Sequence, residues 1–176
     1  MVEKAVAFAT KAHEGTFRKG SEIPYIVHPL ETAVIVALMA ADEELICAAL
    51  LHDVVEDAGI TASELEQEFG FRVAELVMEE TEDKTKSWKE RKGATLAHLE
   101  SASRESKILV LADKLSNLRT TARDLLFMGD DVWLRFNEKE KSEHAWYYKG
   151  IGQRLTELRG LPAYEEYIKL CEKVFG

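Results

Sequence analysis

The sequence predicts a single all-α domain. Apolar residues recur at three- and four-residue spacing, strand-like alternation is nearly absent, and only Pro24, Pro29 and Pro162 interrupt the 176 residues. A chain of this length can bury one sizeable core, and 46% hydrophobic with 31% charged residues is a globular balance.

A first helix is expected over Val2–His13, stopped by Gly15. The polar loop "GTFRKGSEIP" follows. A second helix should run from about Tyr25 to Ala41, with Pro29 tolerated in its first turns. Asp42 is a natural N-cap for a third, which carries "LLHDVVEDAG" and ends before Gly59. Thr61 with Glu64 forms a capping box for a short helix closing at Gly70. "FRVAELVMEETED" gives another. The charged connector "DKTKSWKERK" then leads into a helix reaching about Ala102. "ESKILVLADKLSNLRTTARDLL" is long and amphipathic until Gly129, and the last helices lie within Glu138–Leu158 and Pro162–Val174. No repeat or interdomain linker is visible.

Composition also sets limits. The formal net charge of −9 repels polyanions, so a nucleic acid polymer is not an expected partner. A small anionic ligand would need a local basic pocket. The longest apolar run, Ala33–Ala41, is too short for a bilayer, and "MVEKAVAFATKAHEG" does not read as a signal peptide. Cys47 and Cys171 read as two buried thiols in a reducing compartment, by default the cytoplasm. A homo-oligomer is left open.

"LLHDVVEDAG" is unusual for a helix. His52, Asp53, Glu56 and Asp57 fall within six residues, and on a helix their three- and four-residue spacings form one stripe. A solvated acidic helix end is one explanation. It is opposed by the macrodipole, which disfavours carboxylates at a C-terminus, and by the apolar neighbours. A divalent metal is the other: His52 and Asp53 offer nitrogen and oxygen donors, and the cation offsets the clustered carboxylates. Two residues cannot hold a catalytic metal alone. His28 in "PYIVHPL" and Asp113 in "ILVLADKLSNL" sit among apolar residues, where a packed histidine and an aspartate paired with Lys114 or Arg119 are the plainer explanations. Four such groups in one small domain make those explanations jointly weak.

"RKGSEIPYIVHPL", "AALLHDVVEDAGIT", "EFGFRVAELV", "TEDKTKSWKERK" and "LADKLSNLRT" together resemble the HD superfamily of metal-dependent phosphohydrolases. More narrowly, they resemble RelA/SpoT-type alarmone hydrolase domains and small stand-alone alarmone hydrolases. The resemblance implies an HD-type helical bundle over residues 1–176, with a metal-site core at about 18–120 and divergent C-terminal helices at 121–176. It makes His28, His52, Asp53 and Asp113 ligands of one divalent ion. Mn²⁺ is the family's metal and suits two imidazoles with two carboxylates, though other divalent ions are not excluded. It makes Glu56 and Asp57 the catalytic acid–base pair.

It also implies that Arg18 and Lys19 contact base and phosphates, and that Asn117, four residues after Asp113, lies against the nucleotide. Lys84 and Arg91 are the expected phosphate contacts in the basic connector, and Tyr147 in "HAWYYKGIGQRL" the expected aromatic one. "LADKLSNL" departs from the pattern at Lys114 and Ser116, and "DLLFMGDDVWLRF" between Thr121 and His144 has no counterpart in it. The implied reaction is removal of the 3′-pyrophosphate of guanosine 3′,5′-bis(diphosphate) to give GDP and pyrophosphate. The alternatives are a phosphohydrolase of another nucleotide such as NADPH, or a non-catalytic nucleotide-sensing HD protein.

Overall fold

A computed structural model describes all residues 1–176. The fold is all-α: α1 (Val2–Ala12), α2 (Val27–Met39), α3 (Glu43–Leu51), α4 (Val54–Ala58), α5 (Ala62–Phe69), α6 (Phe71–Glu80), α7 (Trp88–His98), α8 (Arg104–Met128), α9 (Lys141–Arg154) and α10 (Pro162–Phe175). Two 3-10 segments, Gly129–Arg135 and Thr156–Leu158, complete it. No helix is long and apolar enough to cross a membrane.

α8 is the axis. Its 25 residues span about 37 Å at ~1.5 Å per residue, and it is buried almost without break from Ser106 to Leu118. Such a helix must be enclosed on several sides, and α2, α3, α6 and α10 pack around it. α2 and α3 form the adjoining layer, with α1 against α3. Ala33, Ala48, Ala49 and Ala112 are buried in α2, α3 and α8, and their small side chains let backbones approach. α10 packs on both α8 and α9, where the Tyr164 and Tyr167 hydroxyls donate to backbone carbonyls of Gly152 and Tyr148.

Local chemistry explains the boundaries. Thr61–Glu64 forms its capping box, and Ser87–Glu90 forms a second that starts α7 inside the expected connector. Gly59 ends α4 at φ +70°, a conformation glycine adopts without penalty. The expected second helix begins at Val27 rather than Tyr25. The residues before it make a narrow turn, in which Phe17 and Pro24 form an isolated bridge and the Arg18 N–H donates to the Ile23 carbonyl at 2.8 Å. The expected third helix is a more important departure, because it is broken in two at His52–Asp53. Asp53 sits at φ −98°, ψ −6°, where its carboxylate accepts from the Tyr25 hydroxyl and approaches His52. The tertiary pull on Asp53 outweighs helix continuity. After Gly129 the chain tightens into the first 3-10 segment, which lies on the turn before α2: the Arg135 stem would touch any side chain at Gly20.

Asp42 joins two layers. Its carboxylate accepts from the N–H groups of Glu44 and Leu45 at the start of α3, and from both terminal nitrogens of Arg72 on α6. The Arg72 hydrogen bonds, with the two N–H groups, hold its pKa below the ordinary value against modest desolvation. Asp42→Ala should therefore destabilise the fold by about 1–2 kcal/mol, and Asp42→Asn by less, because the cap survives. Because the folded pKa is depressed, the ionic part of this difference is present above the unfolded value near 4 and fades as pH falls through the folded value. Urea unfolding of the three proteins at pH 7 and pH 3 measures both effects.

Candidate metal centre and active site

The site lies where α2, the α3–α4 break and α8 meet. His28 comes from the first turn of α2, His52 and Asp53 from the break, and Asp113 from the middle of α8. His28, His52 and Asp113 are buried, and each can place a donor atom within 4.8 Å of the other two. Asp53 closes the side, its Oδ2 3.0 Å from His52 Nε2 and 3.7 Å from His28 Nε2. Asp113 Oδ1 lies 3.1 Å from His28 Nε2 and 3.7 Å from His52 Nε2.

The hydrogen-bond network assigns the tautomers. His52 Nδ1 is 2.8 Å from the Ala49 carbonyl, which can only accept, so Nδ1 carries the proton. Ser116 Oγ donates to Glu31 at 2.8 Å and thereby accepts from His28 Nδ1, also at 2.8 Å. Both Nε2 atoms are turned toward each other, 3.2 Å apart, and toward the Asp53 and Asp113 carboxylates. Those carboxylates overcome burial and hold the His52 pKa well above its ordinary value, so the cluster demands positive charge, which a divalent ion displacing that proton would supply. The donor set, two neutral imidazoles and two carboxylates, fits a divalent ion, and the chains beyond each imidazole orient it as metal-binding histidines require. Burial holds His28 below the ordinary histidine value, in keeping with a neutral ligand. Burial opposes ionisation of Asp113, but Lys114 and the imidazoles overcome it and hold its carboxyl well below the usual range.

The four groups open on a cavity of ≈720 Å³. Glu56 and Asp57 line it one turn beyond Asp53. The expectation that these residues share one continuous helical stripe is corrected by the break, and tertiary folding rather than spacing brings them together. Glu56 is half-buried and accepts from the Glu82 N–H at 2.7 Å, while burial raises its pKa. Asp57 is exposed and paired with Lys84 at 2.9 Å.

Arg18 lies over the Tyr25 ring and donates to Asn117 Oδ1 at 2.7 Å, and the Asn117 amide donates to Asp113 at 2.7 Å. Lys19 is exposed on the rim of the same cavity. Lys84 binds the Glu56 carbonyl and Asp57, so in this conformation it neutralises the carboxylates. Arg91 pairs with Glu82 at 2.8 Å. Tyr147 is buried in the wall, its hydroxyl without a hydrogen-bond partner, whereas the adjacent Tyr148 is only half-buried. Lys114 does pair with Asp113, whereas Arg119 binds Glu31 and Glu166 instead.

Several wall residues carried no separate expectation. Tyr25 stands three residues before His28 in "PYIVHPL" and could have been read with it. Lys92 belonged to the basic connector without being picked out from it, and Glu82, Trp133 and His144 had no sequence signal beyond ordinary surface or core patterning.

A helical bundle with two oriented imidazoles, flanking carboxylates and a polar cavity defines a metal-dependent hydrolase. The chain belongs to the HD domain family, whose model matches residues 5–126. It is 42% identical over 163 residues to guanosine-3′,5′-bis(diphosphate) 3′-pyrophosphohydrolase MESH1 of Danio rerio, covering 91% of this chain and 85% of that protein. A crystal structure of a Listeria monocytogenes protein superposes with a TM-score of 0.78 at 36% identity, over 84% of this chain and 98% of that one. A metazoan ortholog of SpoT that hydrolyses ppGpp gives a TM-score of 0.78 at 28% identity, over 96% and 92%.

Asp113→Ala should lower bound metal from about one equivalent to a small fraction while the helical far-UV spectrum persists. Elemental analysis of protein purified without chelator checks this. Undiminished metal would remove Asp113 from the site.

Proposed function

We propose that this protein removes the 3′-pyrophosphate of guanosine 3′,5′-bis(diphosphate), releasing GDP and pyrophosphate, with Mn²⁺ held by His28, His52, Asp53 and Asp113. The observation that carries the metal part is the convergence of His28 Nε2 and His52 Nε2, 3.2 Å apart, on the carboxylates of Asp53 and Asp113. The substrate is supported by the likeness to proteins named for that activity. A divalent ion bound there supplies Lewis-acid polarisation of the scissile phosphoryl group and acidifies the attacking water.

The protein's own groups supply orientation and proton handling. Glu56 faces the cavity from one turn beyond Asp53, and burial lifts its carboxyl, which favours taking up a proton from the nucleophile. Asp57, held by Lys84, adds a second carboxylate on the same short helix. Arg18 presents a planar guanidinium already positioned by Tyr25 and Asn117, suited to stacking on a base and to charge pairing. Lys19 meets phosphate at the rim. A purely sensing protein would not need Glu56 and Asp57 beside an intact ligand set. Cys47 and Cys171 are free and buried, which supports a reducing compartment, in our reading the cytoplasm.

Incubation with Mn²⁺ and a panel of nucleotides, including NADPH, should release pyrophosphate most rapidly from guanosine 3′,5′-bis(diphosphate). Faster release of phosphate from NADPH would reassign the substrate and leave the metal site standing. Glu56→Gln should cut turnover on the order of 10²-fold or more with metal content unchanged. Wild-type turnover in that variant would remove Glu56 from the chemistry. Arg18→Lys should raise KM almost as much as Arg18→Ala if the planar group stacks on the base. Rescue by lysine would reduce Arg18 to a point charge.

A further inference from the structure

One wall of the cavity holds more positive charge than the site described above uses. Arg91 and Lys92 come from α7 and Lys114 from α8, and all three line the cavity. Arg91 and Lys92 share one carboxylate, Glu82, at 2.8 and 2.7 Å. Lys114 bonds only Asp113, which the metal also claims. With Asp113 committed to the metal, three cations face two carboxyl groups, Glu82 and the buried Glu80, whose burial raises its pKa to about 8 and so favours its neutral form. The charges are not on the surface, since the Lys92 and Lys114 side chains are only 16% and 15% exposed. Each ammonium has three donors but makes one hydrogen bond.

A second observation is independent of these ion pairs. Both ammoniums lie against the Tyr147 ring, Lys92 Nζ 5.0 Å and Lys114 Nζ 5.9 Å from its centroid. Tyr147 is 2% exposed, lines the same cavity, and its hydroxyl has no hydrogen-bond partner. Arg91 Nε is likewise buried and unpartnered. Buried donors without acceptors beside unbalanced cations call for a ligand rich in anionic oxygens.

We propose that Lys92 and Lys114, with Arg91 and the Tyr147 hydroxyl, form a binding wall for a diphosphoryl group of the nucleotide. The inference rests on the hydrolase reading, in which Arg91 and Tyr147 were already expected contacts, and adds to it Lys92 and Lys114 as the buried cations that hold this group. A diphosphoryl group supplies several oxygens and enough negative charge to match the surplus. Burial, and after it the nearby Lys114 charge, depresses the Lys92 pKa, a crowding that an anion would relieve. Two diphosphoryl groups could occupy the wall, the departing 3′-pyrophosphate or the 5′-diphosphate retained in GDP.

Calorimetric titration of protein carrying one equivalent of Mn²⁺ separates them, with inorganic pyrophosphate and GDP as probes. Lys92→Met should weaken one of the two on the order of tenfold or more, with Lys92→Arg staying within a few-fold of wild type. Tyr147→Phe, which keeps the ring, should weaken the same probe by a smaller factor. Selective loss for pyrophosphate assigns the wall to the leaving group, and selective loss for GDP assigns it to the 5′ end. Thermal unfolding and metal content, unchanged in Lys92→Arg, guard against a folding defect. Unaltered binding of both probes in Lys92→Met would overturn the wall and make these residues a structural ion-pair network. Failure of wild type to hydrolyse guanosine 3′,5′-bis(diphosphate), with Lys92-dependent pyrophosphate binding intact, would instead overturn the substrate assignment alone.

Discussion

Two imidazole nitrogens, His28 Nε2 and His52 Nε2, are held 3.2 Å apart between two carboxylates in a buried setting. Each ring is aimed by the bond it makes on the far side, to Ala49 in one case and Ser116 in the other. Holding them together takes the packing of α2 and α3 on α8. The alanines in those helices allow the approach, and Glu31 fixes Ser116 so that Ser116 can fix His28. The carboxylates call for positive charge at that point, a proton on His52 or a divalent cation between the rings. The site is thus preorganised for a metal by backbone packing rather than assembled by it.

The same economy of charge governs the cavity. A molecule of net charge −9 presents an unfavourable long-range field to a polyphosphate. Local arrangement reverses it. Lys84 screens Asp57 on one side, Arg18 is held over Tyr25 on another, and the lysines of α7 and α8 stand behind the metal ligands. In a partly desolvated pocket such close charges outweigh distant surface carboxylates, which salt screens over ~8–10 Å. The protein can therefore be acidic overall and still favour a phosphorylated ligand at one place.

Much of this was legible in the sequence. Capping residues gave element starts within a residue or two, as Asp42 and Thr61 illustrate, because capping is local chemistry. The helix break at His52–Asp53 was not legible, since it is set by Tyr25, which lies 28 residues from Asp53. "HDVVED" reads as helix by local preference, and only the tertiary bond turns Asp53 out of line. The groups expected as metal ligands are brought together in space, but their neighbours were harder to foresee. Ser116 looked like a departure from a motif, yet its hydroxyl has the donor and acceptor capacity to join His28 to Glu31. Lys92 was indistinguishable in sequence from a solvated connector lysine. Its burial depends on where Glu82 and Tyr147 come to lie, and no periodicity encodes that.

The break also divides the labour between stability and chemistry. The main core comprises 39 buried hydrophobic residues drawn from nearly every element. α4 contributes little to it, with Val54 its only buried residue, yet it carries both Glu56 and Asp57. A five-residue helix that buries so little apolar area is held by its ends: Asp53 tied to Tyr25 and the imidazoles, and the Glu56 carbonyl tied to Lys84. Its position consequently follows the metal cluster on one side and the α6–α7 connector on the other. α4 thus couples Glu56 and Asp57 to His52 and Tyr25 through Asp53, and to the α6–α7 connector through Lys84, while the core packs behind it.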